Sequence, residues 1–256
     1  MAGLGRRDGR GAVTDKPDAA YTVSVEFYDL LQAERDRRQA KRRFTQAARR
    51  ACRGILDIGA GTGIVTEVLL AESAAPVHVI EPAPAMRAAL LTRLAHLGAD
   101  RRARVIVHPE PVQEAGLDDA VDLAVASNVV ACLDPVTRRN AWKAVASALV
   151  PGGLLLFDPP PAAMPAGPRT VGRLGPARVG PDTYSAELMS TPCHETLRIT
   201  FTYRVERDGL LLREEREVFD TWPAPPSVIV AELRGAGLDV VRAPCVDLMA
   251  ARRPGA

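Results

Sequence analysis

Ile55-Leu56-Asp57-Ile58-Gly59-Ala60-Gly61-Thr62-Gly63 decides the fold: a short apolar run is followed at once by three glycines at alternate positions. The run reads as a buried strand, and glycine, lacking a Cβ, lets the turn behind it take positive φ and pass close to a ligand. Ile64-Val65-Thr66-Glu67-Val68-Leu69-Leu70 then places apolar side chains at helical spacing. Free N–H groups and the positive end of a helix dipole therefore face whatever occupies the turn. This is the pattern of a nucleotide-type pocket at the carboxyl end of a strand.

The spacing argues against a dinucleotide. Gly-x-Gly-x-x-Gly counted from Gly59 would need glycine or alanine at position 64, which is Ile64, whereas the third glycine here is Gly63. A second carboxylate, Glu81, closes the next apolar run, Val77-His78-Val79-Ile80, and is suited to accept both hydroxyls of a ribose. Asp57 would repel a pyrophosphate but suits a cationic ligand.

Strand and helix patterns alternate from residue 53 to 158, the signature of a parallel sheet. The expected elements are strands at Ile55 to Ile58, Val77 to Ile80, Arg104 to Val107 and Leu123 to Ala126, with helices at Ile64 to Glu72, Ala83 to Leu97 and Val136 to Leu149. Pro151-Gly152-Gly153 is expected to break the last of these helices and open a fifth strand. The proline-rich stretch from Pro159 onward is expected to be a loop as far as about Gly180. Two alternating runs, Leu197 to Glu206 and Leu210 to Phe219, joined at Asp208-Gly209, predict an antiparallel hairpin. A last helix (Ser227 to Ala236) and two strands (Leu238 to Arg242, Val246 to Ala250) follow.

The chain resembles the class I S-adenosylmethionine-dependent methyltransferases. The residues that carry the resemblance are the Asp57-to-Gly63 loop, Glu81 after the second strand, Asp122-Leu123-Ala124-Val125-Ala126-Ser127-Asn128 as a fourth strand, and Leu149-Val150-Pro151-Gly152-Gly153 leading into Leu154-Leu155-Leu156-Phe157-Asp158. The resemblance implies an α/β fold, a doubly wound, mostly parallel seven-stranded sheet of Rossmann-like type whose final strands supply an antiparallel edge. It also implies that the β insert lies over the carboxyl ends of the strands as a substrate cap. The expected organisation is a disordered segment at 1–18, a helical lid segment at 19–52, the cofactor-binding core at 53–158, the loop and insert at 159–222, and the closing helix and strands at 223–256.

The same resemblance assigns roles. Gly59, Ala60 and Gly61 would approach the methionine part of S-adenosylmethionine through their backbone. Asp57 would attract its ammonium, or else only cap the following helix. Glu81 would hold the ribose. Pro82 and Met86 would pack on the adenosine, Met86 being equally at home in the core. Relatives often carry an acidic residue in the third-strand loop, but Pro111 stands near that position here. Adenine is therefore assigned to the Val112 N–H and the Gln113 side chain. Ser127 and Asn128 would line the floor under the sulfonium, Asn128 either orienting the acceptor or serving as a loop-capping amide. Phe27-Tyr28-Asp29-Leu30-Leu31 is similar to the Tyr-Asp segment that precedes the core in many small-molecule methyltransferases, which makes Tyr28 a lid candidate or a packed helix tyrosine.

Composition fits an enzyme of this size. At 256 residues and 47% hydrophobic content the chain can bury one sizeable core and a small appended part. A net charge of +2 gives no push toward nucleic acid or membrane. No stretch approaches the length needed to span a bilayer. Cys52, Cys132, Cys193 and Cys245 fit neither a zinc nor a disulfide pattern and read as reduced thiols of a cytoplasmic protein. The four histidines do not cluster, so no metal is expected. Eight basic residues between Arg35 and Arg50 read as a solvated helix face rather than a nucleic-acid surface.

Transfer from a sulfonium is a direct displacement that asks for alignment and dryness. His194, Asp158, Glu195, Tyr184 and Tyr28 are the candidate bases, none marked out by spacing. Tyr28 and Asn128 are the candidates for contact with the reacting groups. The resemblance points to N-methylation of an amine, on an aminosugar or a modified (RiPP-type) peptide terminus in bacterial natural-product biosynthesis, with S-adenosylhomocysteine as product. O-methylation of a hydroxyl or carboxylate is the runner-up and RNA methylation a distant third. Glu187, Glu195 and Glu206 could meet a cationic amine. The expected partner is a small molecule or peptide, and a homodimer is compatible with this reading.

Overall fold

The structure, a computed structural model, describes residues 20–255, so the segment expected to be disordered (1–18) lies outside the described residues. Eleven strands and six α-helices are described: α1 Ser24–Ala48, β1 Ile55–Ile58, α2 Ile64–Glu72, β2 Val77–Ile80, α3 Pro84–Ala95, α4 Ala99–Arg102, β3 Val105–His108, β4 Val121–Ala126, α5 Pro135–Ala148, β5 Leu149–Phe157, β6 Arg169–Val179, β7 Asp182–Cys193, β8 Thr196–Arg207, β9 Leu210–Thr221, α6 Pro226–Gly235, β10 Asp239–Val241 and β11 Met249–Arg252.

Seven strands form one sheet in the order β10-β11-β5-β4-β1-β2-β3. β1 to β5 pair in parallel, while β11 runs antiparallel to both β5 and β10. β1 is buried at every position, which a parallel strand covered on both faces requires and which explains its unbroken apolar run. The expected antiparallel edge is present, with β11 inserted between β5 and β10. One core cluster, with Leu56, Trp142, Val145, Phe157 and Ile229, packs under α5 and α6. The other, with Phe44, Ile55, Val68, Leu69 and Leu90, packs under α1, α2 and α3.

β5 corrects the expected break. It begins at Leu149 and runs through Pro151-Gly152-Gly153, absorbing them where the pairing with β4 slips between Val121 and Leu123. A proline on the irregular stretch of a strand costs no ladder bond. Asp134 ends the preceding turn and caps α5, its Oδ1 accepting the N–H groups of Val136 and Thr137 at 2.8 and 3.0 Å.

The insert is larger than the sequence suggested. β6 to β9 form a fully antiparallel four-stranded sheet. Asp208 and Gly209 join β8 to β9 with φ of 50° and 77°, the double left-handed turn that matches strand twist. The expected loop up to Gly180 is instead β6 from Arg169 onward. Only Leu174 of that edge strand is buried, so it leaves no apolar alternation to read.

Within the segment expected at 19–52, α1 is one continuous helix. At 25 residues it spans about 37 Å and is held on two sides. Phe27 stacks on Tyr203 of β8 with centroids 4.4 Å apart, and the Tyr203 hydroxyl donates to Ser24 Oγ at 2.8 Å. On the core side Arg37 pairs with Glu67, Arg49 with Glu72, and Arg42 and Arg43 with Asp247. Part of the basic face expected to be solvated thus fastens the helix.

Candidate active site

The glycine loop leaves β1 and folds back against β2. The N–H groups of Gly59 and Ala60 both donate to the Ile80 carbonyl, at 2.9 and 3.0 Å. These amides are spent on the fold. Gly59 has a φ of 66°, and a Cβ there would lie 2.6 Å from Val129 Cγ2, so glycine is dictated by the loop that follows β4. Gly61 differs: its φ is 59°, and a Cβ would meet nothing within 4 Å. Beyond it the N–H groups of Thr62, Ile64 and Val65 donate to no acceptor among the described residues. These orphan donors at the start of α2 suit an anionic group.

Two carboxylates border this loop differently. Glu81, buried at the end of β2, accepts the Gly61 N–H at 2.7 Å on Oε2 and the Ala83 N–H at 2.8 Å on Oε1. Burial raises its pKa against the opposing pull of those amides and Arg87. Asp57 is 1% exposed, and its Oδ2 accepts the Thr66 hydroxyl at 2.6 Å. The carboxylate therefore sits under the first turn of α2, bonded to a side chain there and not capping its backbone, and does not line the crevice. Burial pushes its pKa up to about 7, with Glu81 adding to the rise and Thr66 opposing it.

The crevice is walled by Gly59, Ala60, Gly61 and Thr62 on one side, by Tyr28, Asp36 and Gln39 of α1 on the other, and by Ser127 and Asn128 beyond β4. Tyr28 belongs to α1 and lines the crevice. Its hydroxyl donates to Asp36 Oδ2 at 3.4 Å, and burial drives its pKa above the ordinary tyrosine range. Asn128 has a φ of 58°, a left-handed conformation that asparagine tolerates better than most residues.

A second cavity of about 250 Å³ opens between α1 and the inner face of the four-stranded sheet. Tyr21, Phe201, Tyr203 and Phe219 supply its aromatic walls, and Tyr28 and Asn128 border it as they border the crevice. Tyr21 and Phe219 stack with centroids 4.7 Å apart. Arg35 is the one charged residue of its lining. Burial holds the Tyr21 phenol well above its ordinary pKa and raises that of the Cys132 thiol.

The remaining sequence candidates scatter. Pro82 is exposed and Met86 is 2% exposed. Val112 is buried in the core cluster under α5, while its N–H donates to no acceptor among the described residues. Gln113 is exposed and faces a separate surface groove with Asn140 and Lys143. His194, Glu195, Tyr184 and Asp158 line neither cavity. Glu187 pairs with Arg173, and neither it nor Glu206 reaches the aromatic cavity. Sequence reasoning missed Asp36, Gln39, Tyr21, Phe201 and Phe219. Phe201 and Phe219 lie in the alternating runs, but which face of a hairpin turns inward is not written in the alternation.

Residues 56–155 match a family model described as a methyltransferase domain. No curated protein sequence matches significantly. Among solved structures, the chain is similar to an S-adenosylmethionine-bound amino pentose methyltransferase from Micromonospora echinaspora involved in calicheamicin biosynthesis, with 22% identity, a TM-score of 0.64, and 87% of this chain and 90% of that one covered. A sugar N-methyltransferase from Streptoalloteichus is similar at 20% identity and a TM-score of 0.66 over 99% of both chains. The glycopeptide N-methyltransferase MtfA in complex with S-adenosylhomocysteine is similar at 22% identity and a TM-score of 0.56, over 86% of this chain and 87% of that one. At these identities the likeness establishes the fold. Among the described residues no helix is long and apolar enough to cross a membrane, and no cluster of three or more metal-binding side chains occurs.

Proposed function

We propose that this chain, an S-adenosylmethionine-dependent methyltransferase by its domain and fold, methylates an amine of a small molecule or peptide terminus in natural-product biosynthesis. The observation that carries the reading is the junction. Tyr28 and Asn128 border both the glycine-loop crevice and the aromatic cavity, so a ligand in one can meet a ligand in the other only between them.

The donor set suits the cofactor. Unpaired amides of Thr62, Ile64 and Val65 stand ready for a carboxylate, and Glu81 keeps lone pairs free for ribose hydroxyls. Two carboxylates whose pKa values burial raises, Asp57 and Glu81, favour a cation nearby. Val112 N–H is available to adenine. When bound, S-adenosylmethionine supplies an electrophilic methyl group on a positively charged sulfur.

The aromatic walls exclude water from the acceptor and hold it at the Tyr28–Asn128 junction. The lining contains no carboxylate and no histidine, and its phenols Tyr21, Tyr28 and Tyr203 are held neutral by burial. Burial among aromatic walls disfavours an ammonium, the one guanidinium of the lining, Arg35, being paired with Asp36, so an amine sheds its proton to solvent on entry and needs no base inside. An alcohol would need one. That difference favours nitrogen over oxygen, as do the N-methyltransferases of like fold. Arginines of α1 are tied to Glu67, Glu72 and Asp247, which argues against an RNA surface there.

The test is incubation with methyl-labelled cofactor and a panel of aminosugars, peptides and phenols, followed by mass spectrometry. The expected result is label on an amine nitrogen. Label confined to phenols or carboxylates would overturn the amine assignment.

A further inference from the structure

Asp158 follows β5 directly, beside the loop that carries Asn128 out of β4. Its Oδ1 accepts the Asn128 N–H at 2.8 Å, and that same residue holds the left-handed φ of 58°. From the other side, Arg43 of α1 brings Nη1 to 3.8 Å from Asp158 Oδ1. Arg43 is itself fixed, donating from Nε and Nη2 to Asp247 Oδ2 at 2.9 and 2.7 Å. Asp158 lines neither cavity and is therefore not placed to take a proton from the acceptor.

We propose that Asp158 is a positioning residue: it fastens the backbone of Asn128 in its left-handed turn, so that the asparagine side chain stands at the junction of the two cavities, and Arg43 fastens Asp158 in turn. The inference rests on the reading that Asn128 faces the acceptor. Few side chains accept a left-handed backbone, and a loop held there by one carboxylate keeps that conformation only while the carboxylate is itself held. The arrangement also ties the reacting end of the site to α1 and to the loop before β11, two segments distant in sequence that meet at Arg43 and Asp247.

The experiment is steady-state kinetics on Asp158→Ala, Asp158→Asn, Arg43→Met, Asn128→Ala and the Asp158→Ala/Asn128→Ala pair, with S-adenosylhomocysteine affinity and thermal midpoint measured on each. Asp158→Ala is expected to lower kcat about tenfold or more, as loss of alignment does, with product affinity unchanged. Asp158→Asn retains an acceptor oxygen and restores most of kcat. Adding Asp158→Ala to Asn128→Ala costs nothing further. Arg43→Met leaves the carboxylate in place but loose, is expected to lower kcat severalfold at constant product affinity, and decides the matter should Asp158→Ala not fold. Full kcat in Asp158→Ala or Arg43→Met, with kcat lost in Asn128→Ala, overturns the positioning role alone. Full kcat in Asn128→Ala overturns the prior reading of Asn128 instead, and the positioning role with it.

Discussion

Asp29 on α1 grips Thr62 in the glycine loop: its Oδ1 accepts the threonine hydroxyl at 2.5 Å, while its Oδ2 accepts Arg93 Nη2 of α3 at 2.5 Å. Arg93 in turn donates to the Thr62 carbonyl at 2.7 Å and to Glu67 at 3.1 Å. One carboxylate therefore joins the helix that covers the crevice to the loop that forms its other wall. Asp29→Ala removes that join and leaves the rest of the Arg93 network intact. The expected outcome is faster amide hydrogen exchange along the first half of α1 and weaker S-adenosylhomocysteine binding, with the core unchanged. Equal exchange and equal affinity in the variant would mean that α1 is held without Asp29, by its sheet packing and its ion pairs to Glu67, Glu72 and Asp247.

Glu81 makes a second prediction. Its two oxygens already accept Gly61 and Ala83 amides, and each retains a lone pair for a ribose hydroxyl. Hydrogen bonds to an ionised group contribute roughly 1.5–3 kcal/mol. Glu81→Ala should therefore raise the calorimetric Kd for S-adenosylhomocysteine about 10- to 100-fold. An unchanged Kd would move the ribose elsewhere.

The legible parts of this chain are those whose burial is one-sided or complete. β1, α2 and β2 have the limits read from sequence, because β1 is buried throughout, β2 at all but His78, and glycine or proline punctuates their ends. Asp208-Gly209 likewise marked the β8–β9 turn, where two successive positive φ values are needed. β6 was illegible because an exposed edge strand with Gly172, Gly175 and Pro176 looks like loop. The crevice could be read from the glycine loop and Glu81, whose roles depend on local geometry. The aromatic cavity could not, because Tyr21 and Phe219 meet only after α1 and β9, nearly two hundred residues apart, are packed together.

Asp57 gives a pH prediction. Its carboxyl is harder to ionise in the folded chain, with a pKa of about 7 against an ordinary 3.8, chiefly through burial. The native state therefore binds more protons than the unfolded state between those values. Stability of the cofactor-free protein should fall as pH rises from about 4 toward 7, and this contribution should be level above that. Glu81, also raised, acts in the same direction. Asp57→Asn cannot ionise and should show a shallower decline of the thermal midpoint from pH 5 to pH 8 than the parent. Identical slopes would mean that Asp57 titrates normally and that its burial is relieved by water.

The last prediction concerns the far face of the sheet, where α5 and α6 are joined by a buried ion pair. Arg138, 1% exposed, donates from Nε and Nη2 to Glu232 at 2.8 and 2.9 Å, and Trp142 Nε1 donates to the same carboxylate at 3.1 Å. Removing one partner strands a guanidinium that has lost its water, a loss that costs about 3–5 kcal/mol. Glu232→Ala should lower the unfolding free energy by that amount in urea titration, without changing cofactor affinity, because no residue of the pair lines the crevice. Replacing both partners with apolar residues of like volume, Arg138→Met with Glu232→Leu, should recover most of the loss, since the pair offsets its own desolvation only in part. A double variant as unstable as Glu232→Ala would show instead that the bidentate geometry, and not the stranded charge, holds α5 against α6.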